Sequence, residues 1–443
     1  MSIQAITTKV ISTLGNKESL IPIMIKDGVD STSLTLKSFK EGGPIEGMDR
    51  AIDEYGTQAI WIGGIPFFKK LIDKTAYKIA KINPNIDPRI IANDEYAKWA
   101  KDNAKGIIDK SGQTVKDALE DSLKDGGKLA KNLYTGKIIA ATALTLGTFF
   151  TLTKLKQKNT KNKAISELQT VKYHDTYTKL SKSEVFSEFE QNNKQNNKPS
   201  FKGLGKNVIE GIMFNPVHNM KIIDAGITAE RIGCSRNKTE FMEHTIKEGA
   251  FLFFIYKFGN MIEDGINKLS ENMFKKPIDL KIDVIMDENL KNALNAGTIA
   301  DDLAKIPEAS KSLTEKLDFI INNPDNIFVK AAKKADIVKC VKDKAGNSVV
   351  DTSKFIDTND LETLAKNLKN IDDKFKMSDD CIDTFLNKTK ALKVTSVMAN
   401  IGISCFILGY LIPKAVYKYR EWKTGTTKFH VVEDIKNEKK KDI

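Results

Sequence analysis

The longest uncharged run of the chain is Val394-Thr-Ser-Val-Met-Ala-Asn-Ile-Gly-Ile-Ser-Cys-Phe-Ile-Leu-Gly-Tyr-Leu-Ile-Pro413. It contains 20 consecutive residues without a charge. As an α-helix it extends about 30 Å, the thickness of the hydrocarbon core of a bilayer. Aromatic and basic residues that suit a membrane interface gather at its end, namely Tyr410, Tyr417, Tyr419, Trp422, Lys414, Lys418, Arg420 and Lys423. These features predict a transmembrane helix over 394–413.

A second uncharged run covers residues 138–153, between Lys137 and Lys154. Its 16 residues reach only about 24 Å as a helix, and the flanking lysines extend that reach by snorkelling. We therefore expect a second transmembrane helix at 138–153. Two weaker apolar segments, 249–262 and 56–68, are short enough to be buried or re-entrant. In the latter segment, Gly63, Gly64 and Pro66 disfavour a straight helix.

Four residues in the two strong runs are candidates for helix packing. Ala143 and Gly147 lie one turn apart and would allow another helix to approach closely. Asn400 and Ser404 are polar side chains that we expect to hydrogen-bond to another helix within the membrane. The partner helix is either the other apolar run or a second copy of the chain.

The rest of the chain divides into polar regions around these runs. Residues 1–137 form an N-terminal helical region, and 154–278 form a basic helical region with a polar linker near 190–200 and the apolar segment 249–262. We expect 279–393 to be a small soluble helical domain and 414–443 to be a basic tail. The predicted fold class is thus a mainly α, membrane-associated protein with a small soluble α domain that contains a possible β-hairpin.

Capping and turn signals mark the elements of the 279–393 domain. Ser312 and Glu315 form a capping box, and Asn359 with Glu362 is predicted to cap the next long helix. That helix carries an apolar stripe made of Leu361, Leu364, Leu368 and Ile371. Two apolar runs around Lys344-Ala-Gly-Asn predict a hairpin within 337–351.

Composition and spacing exclude several classes of function. The formal net charge is +12, but 65 of the 70 basic residues are lysine, whereas sequence-specific nucleic-acid recognition favours arginine. The four cysteines and four histidines are scattered, with no CxxC or HExxH spacing typical of a metal site. No nucleotide-binding loop or nucleophile motif is present. The sequence predicts no catalytic, metal or cofactor-binding residues.

The charge of each segment suggests a topology. The net charge is +6 over 154–248 and +4 over 414–443, and it is −2 over 279–393. The positive-inside rule therefore predicts that the protein lies in the cell membrane with its C-terminal tail in the cytoplasm. Three crossings, with 249–262 added to the two strong runs, would also place 154–248 inside. Two and four crossings stay open, as does the orientation of the N-terminus.

Three classes of function follow from this reading. The leading hypothesis is a non-enzymatic integral membrane protein that acts as a scaffold or interaction protein. Its partners would be the lipid bilayer and, through its lysines, anionic lipid or acidic proteins. One alternative is a component of a transporter or channel. The other is a secreted protein that is soluble until it inserts into a membrane.

Overall fold

The computed structural model describes residues 3–16, 19–175, 216–308, 311–432 and 434, and this part of the chain is mainly helical, as predicted. The predicted linker near 190–200 lies outside the described residues. The first helices are α1 Ile3–Leu14, α2 Ile21–Lys37, α3 Pro44–Ile72, α4 Lys78–Ala80, α5 Pro88–Ala92, α6 Asp94–Asn103, α7 Val115–Leu123, α8 Lys128–Asp175, α9 Pro216–Gly233 and α10 Lys238–Phe253. The remaining helices are α11 Gly259–Phe274, α12 Ile282–Ile285, α13 Glu288–Ala296, α14 Ile299–Ala304, α15 Leu313–Asn322, α16 Ile327–Lys334, α17 Thr358–Lys376, α18 Ile382–Phe406 and α19 Ile412–Thr424.

Several of these helices are joined by short segments of different helical geometry. The π-helical segments are Ser38–Gly42, Asp73–Tyr77, Phe254–Phe258 and Ile407–Leu411, and a 3-10 turn covers Lys124–Gly127. The strands β1, Cys340–Lys342, and β2, Ser348–Val350, pair antiparallel. This pairing confirms the predicted hairpin.

The chain divides into two compact units, and the division falls inside α2, α3, α8 and α10. The first unit contains residues 1–29, 61–145 and 251–408. The second unit contains residues 30–60, 146–250 and 409–443.

The first unit has a large hydrophobic core. Side chains between Tyr77 and Ala130 share this core with side chains between Leu280 and Leu386. Buried polar bonds join the same two stretches. The Tyr96 hydroxyl accepts a bond from the Ile356 backbone N–H at 2.7 Å, and the Trp99 indole donates to Asp318 at 2.8 Å. Residues 279–393 are therefore packed as one body with much of 77–130.

The capping signals of the first unit are partly confirmed. Ser312 caps α15 by accepting a hydrogen bond from the Glu315 N–H at 3.2 Å. The predicted cap at Asn359 is wrong, because Asp357 caps α17 and accepts a bond from the Asn359 N–H at 2.9 Å. Starting the helix two residues earlier leaves the predicted apolar stripe unchanged. Its four members, Leu361, Leu364, Leu368 and Ile371, are all buried.

The second unit has little apolar core. Among its described residues, a small cluster contains Ala164, Phe429, Val431 and Val432. Charged side chains occupy much of the remaining interior. Most of them come from α3, α8, α9, α10 and α19 and from the segment between α9 and α10.

Two helical segments are long and apolar enough to cross a membrane, Val115–Ser166 and Ile382–Thr424. They contain the predicted runs 138–153 and 394–413. Only 33% and 22% of their most apolar windows are buried inside the protein.

The helix α3 also passes through the weaker apolar segment 56–68. It continues through Gly63, Gly64 and Pro66, which we had expected to interrupt a straight helix. A proline removes only one intrahelical donor, and neighbouring groups in an apolar setting can compensate for that loss.

Candidate functional site

A guanidinium with no solvent exposure lies at the centre of the polar interior of the second unit. Arg420 donates two hydrogen bonds to Glu243, at 2.7 and 2.8 Å, and two to Glu46, each at 2.7 Å. The side chains of all three residues are at most 1% exposed. Bidentate contacts on both sides use the planar fork that only arginine provides. The ionic network comprises Glu46, Asp49, Arg50, Asp53, Glu54, Lys156, Arg231, Arg236, Glu240, Glu243, Lys247, Glu248 and Arg420.

A second group of charges in the ionic network surrounds Arg231. Its guanidinium donates to Glu248 at 2.6 Å, and its Nε lies 3.6 Å from Asp53. The Lys247 ammonium donates to Glu54 at 2.6 Å and to Glu248 at 3.1 Å. Each cation of this group therefore faces more than one carboxylate. Burial alone would raise the pKa of Glu248, but Arg231 and Lys247 lower it below its ordinary value.

Arg236 fixes the segment between α9 and α10. Its guanidinium contacts Asp49 at 3.1 Å, and its Nε donates to Glu240 at 3.1 Å. The Thr160 hydroxyl of α8 also donates to Asp49. Arg236 thus joins α3 to the start of α10, and Asp49 joins both to α8.

Two buried histidines border the ionic network. His244 lies 3.7 Å from Glu240, and His430 lies 2.9 Å from the side-chain oxygen of Asn237. Burial lowers the pKa of His244 by more than Glu240 raises it. Burial likewise lowers the pKa of His430. Burial therefore favours the neutral form of both rings.

Sequence reasoning missed the ionic network, although two signals were present. On α3 the network residues are Glu46, Asp49, Arg50, Asp53 and Glu54, spaced three and four residues apart. The same spacing recurs on α10 in a stripe made of Glu240, Glu243, His244, Lys247 and Glu248. This spacing places each set on one helix face. A second signal is that four of the five arginines in the chain, Arg50, Arg231, Arg236 and Arg420, belong to the network.

A smaller polar site lies in the first unit, beside the apolar run 394–413. The Lys26 ammonium donates to the side-chain oxygen of Asn400 at 2.6 Å, and the Asn400 amide donates to Glu263 at 2.8 Å. Lys26 is 3% exposed and Glu263 is 7% exposed. Gly259 lies against this Lys26–Asn400–Glu263 bridge, because a Cβ there would come within 2.4 Å of Asn400. The bridge joins α2, α11 and α18 through one amide.

The four predicted packing residues have different surroundings. Asn400 lies at the centre of the Lys26–Asn400–Glu263 bridge. Ser404 is fully buried, and its hydroxyl has no hydrogen-bond partner among the described residues. Ala143 and Gly147 are exposed on α8, and a Cβ at Gly147 would have no atom within 4 Å. Their close approach to a second copy of the chain stays a prediction.

The chemistry available at these sites is ionic pairing. In the described ranges, no group of three or more His, Cys, Asp or Glu side chains is arranged to hold a metal ion. The carboxylates of the ionic network instead face guanidinium and ammonium groups at hydrogen-bond distance. Charges paired in this way fix the positions of helices.

We expect the second unit to lose stability in acid. The pKa values of Glu240, Glu243 and Glu248 are lowered in the fold, since neighbouring cations outweigh the effect of burial. The unfolded chain therefore takes up protons first, and the free energy of unfolding falls as the pH drops below about 5. Hydrogen exchange, corrected for intrinsic rates, should show protection lost in α10 at a higher pH than in α17. Equal loss of protection in both helices would contradict this expectation.

The Lys26–Asn400–Glu263 bridge predicts a difference between two glycines of α11. The substitution Gly259→Ala places a methyl group 2.4 Å from Asn400 and 2.8 Å from Lys26, so it should destabilise the chain by about 1–3 kcal/mol. The control Gly265→Ala meets no atom within 4 Å and should be neutral, or stabilising by about 0.5–1 kcal/mol. Thermal unfolding of the detergent-purified chain measures both. Equal tolerance of the two substitutions would show that the bridge is not held as described.

Comparison of the chain with known protein families, with curated proteins and with solved structures finds no match. Function must therefore be inferred from the geometry of this chain. That geometry consists of a buried ionic network in the second unit, a buried polar bridge in the first unit, and apolar helix surface that is largely exposed in both units.

Proposed function

We propose that the chain is a non-enzymatic integral membrane protein that serves as a scaffold or interaction protein. The observation that carries this proposal is that the apolar windows of the two candidate spans are only 33% and 22% buried. A core helix of a water-soluble protein buries most of its apolar surface. An outward-facing apolar helix needs another apolar environment, which a bilayer supplies.

Exposed apolar side chains on several helices support the same conclusion. In the first unit they include Ile62, Phe67, Ile139, Leu144, Met398, Ile403 and Phe406, each between 44% and 61% exposed. In the second unit they include Phe150, Leu155, Tyr410 and Leu411, each between 42% and 61% exposed. Ile62 and Phe67 lie in the weaker apolar segment 56–68, and the others lie within or next to the two strong apolar runs.

The arrangement of the charges supports a structural function over a catalytic one. Arg420 and Arg231 are each engaged by buried carboxylates in the ionic network. Ion pairs between buried side chains of different helices keep those helices in fixed positions, as a scaffold requires. The partners we propose are the bilayer, anionic lipid and acidic proteins. The location we propose is the cell membrane, with the basic tail 414–443 in the cytoplasm.

A transporter or channel component is the second candidate, and the Lys26–Asn400–Glu263 bridge favours it. Ionisable side chains beside a membrane helix are costly and frequently belong to transport pathways. In this bridge one amide separates a lysine from a glutamate. Ion or proton flux in proteoliposomes that is lost in Glu263→Gln would support transport. Flux that is absent, or unchanged by this substitution, would support the scaffold.

Two engineered cysteines test the membrane proposal directly. Phe406 and Met377 are 57% and 69% exposed, and only Phe406 lies in an apolar run. In a background with the four native cysteines replaced by serine, we expect Met377→Cys to react with a membrane-impermeant maleimide in open, carbonate-washed membranes. Phe406→Cys should react only after detergent is added, because thiolate forms poorly in hydrocarbon.

The same preparation separates the alternatives. Equal labelling of the two cysteines in membranes would contradict the proposal. Release of a monomeric chain by carbonate without detergent would instead favour the protein that is soluble before insertion.

A further inference from the structure

One lysine of the second unit, Lys37, has two further lysines within electrostatic range. Lys37 interacts electrostatically with Lys40 and Lys414, and Glu41 is the acidic residue that faces it. Among the described residues, none of the three lysines forms an ion pair. Burial lowers the pKa of Lys37, the Glu41 charge raises it, and repulsion from Lys414 lowers it further. This lysine cluster therefore carries excess positive charge, in contrast to the paired ionic network.

The fold brings these lysines together from distant parts of the sequence. Lys37 ends α2, Lys40 lies in the π-helical segment that follows, and Lys414 is in the first turn of α19. The Tyr417 hydroxyl lies 2.9 Å from Ser38, which joins α19 to the π-helical segment. This buried contact fixes α19 beside the π-helical segment, while the side chains of Lys40 and Lys414 are exposed to a ligand.

Aromatic rings help to orient the ammonium groups. Lys37 lies 5.5 Å from the ring centroid of Tyr417, and Lys414 lies 5.5 Å from that of Tyr410. Such cation–π contacts hold the lysine stems against the protein. The ammonium hydrogens can still donate to an anion.

Exposed apolar side chains lie next to these lysines along the chain. Leu36 is 65% exposed, Phe39 is 42% exposed, Tyr410 is 53% exposed and Leu411 is 42% exposed. Leu411 also belongs to the apolar run 394–413. A ligand for this surface must carry negative charge at one end and hydrocarbon at the other.

We propose that Lys37, Lys40 and Lys414 bind the phosphate headgroup of an anionic phospholipid, whose acyl chains lie against Leu36, Phe39 and Leu411. This inference rests on the proposed membrane function and specifies one lipid contact of that membrane protein. Phosphate is the anion that converging lysines bind as point charges. An anionic leaflet attracts lysines just beyond a membrane helix.

The test compares two double variants of the full chain in neutral detergent. The first, Lys37→Gln with Lys414→Gln, removes two lysines from the lysine cluster. The matched control, Lys418→Gln with Lys423→Gln, removes two exposed lysines of α19 outside it. Native mass spectrometry measures the binding of dioleoylphosphatidylglycerol and of dioleoylphosphatidylcholine to each.

We expect the cluster variant to bind phosphatidylglycerol roughly 10- to 30-fold more weakly than the unmodified chain, with little change in the control. Phosphatidylcholine binding should be similar in all three proteins. An equal loss in both variants would overturn the site, because it would show a general effect of charge. Displacement of the lipid by inorganic phosphate at equal concentration would also overturn it, in favour of a free-phosphate site.

Retention of the chain in carbonate-washed membranes distinguishes a failure of the lysine cluster proposal from a failure of the proposed membrane function. If the cluster variant stays in carbonate-washed membranes but has lost its preference for phosphatidylglycerol, both proposals are supported. If the unmodified chain is membrane-bound without that preference, the lysine cluster proposal alone fails. If the unmodified chain is released by carbonate, the membrane function fails first.

Discussion

The second unit depends on the contact of one arginine with two glutamates. Arg420, Glu46 and Glu243 are essentially inaccessible to water, and four hydrogen bonds of 2.7–2.8 Å join them. Removing a partner from such a group leaves an uncompensated charge in a medium that solvates it poorly. Because Glu46 lies on α3, Glu243 on α10 and Arg420 on α19, this contact determines which helices can be neighbours. The rest of the ionic network extends the same constraint to α8 and α9.

The two units bury different kinds of surface. In the first unit, residues from 77–130 and 280–386 form a hydrophobic core like that of a water-soluble domain. In the second unit, charged side chains fill much of the interior while apolar side chains such as Leu155 and Leu36 are exposed. Ion pairs are directional, so they can specify helix positions in a unit whose apolar side chains face outward. This division of roles is what the proposed membrane scaffold requires.

The apolar helices could be predicted from sequence, whereas the ionic network could not. A run such as 394–413 carries its signal in consecutive residues, so length and charge suffice. The network joins residues such as Glu46 and Arg420, which are 374 positions apart. The spacing of its charges on α3 is also that of an ordinary solvated helix face, which made the two cases indistinguishable. The misplaced cap at Asn359 has a local cause, since Asp357 is an equally good capping residue two positions earlier.

The stability of Arg420→Met tests the ionic network most directly. The network requires this substitution to destabilise the second unit by about 3–5 kcal/mol, since it strands two buried carboxylates. The substitution Lys418→Met, at an exposed position of the same helix, should leave stability nearly unchanged. Adding Glu46→Gln and Glu243→Gln to Arg420→Met should restore much of the loss, because no unpaired charge then remains at this point. If denaturant unfolding in detergent gives the same midpoint for Arg420→Met and Lys418→Met, the ionic network does not stabilise the second unit.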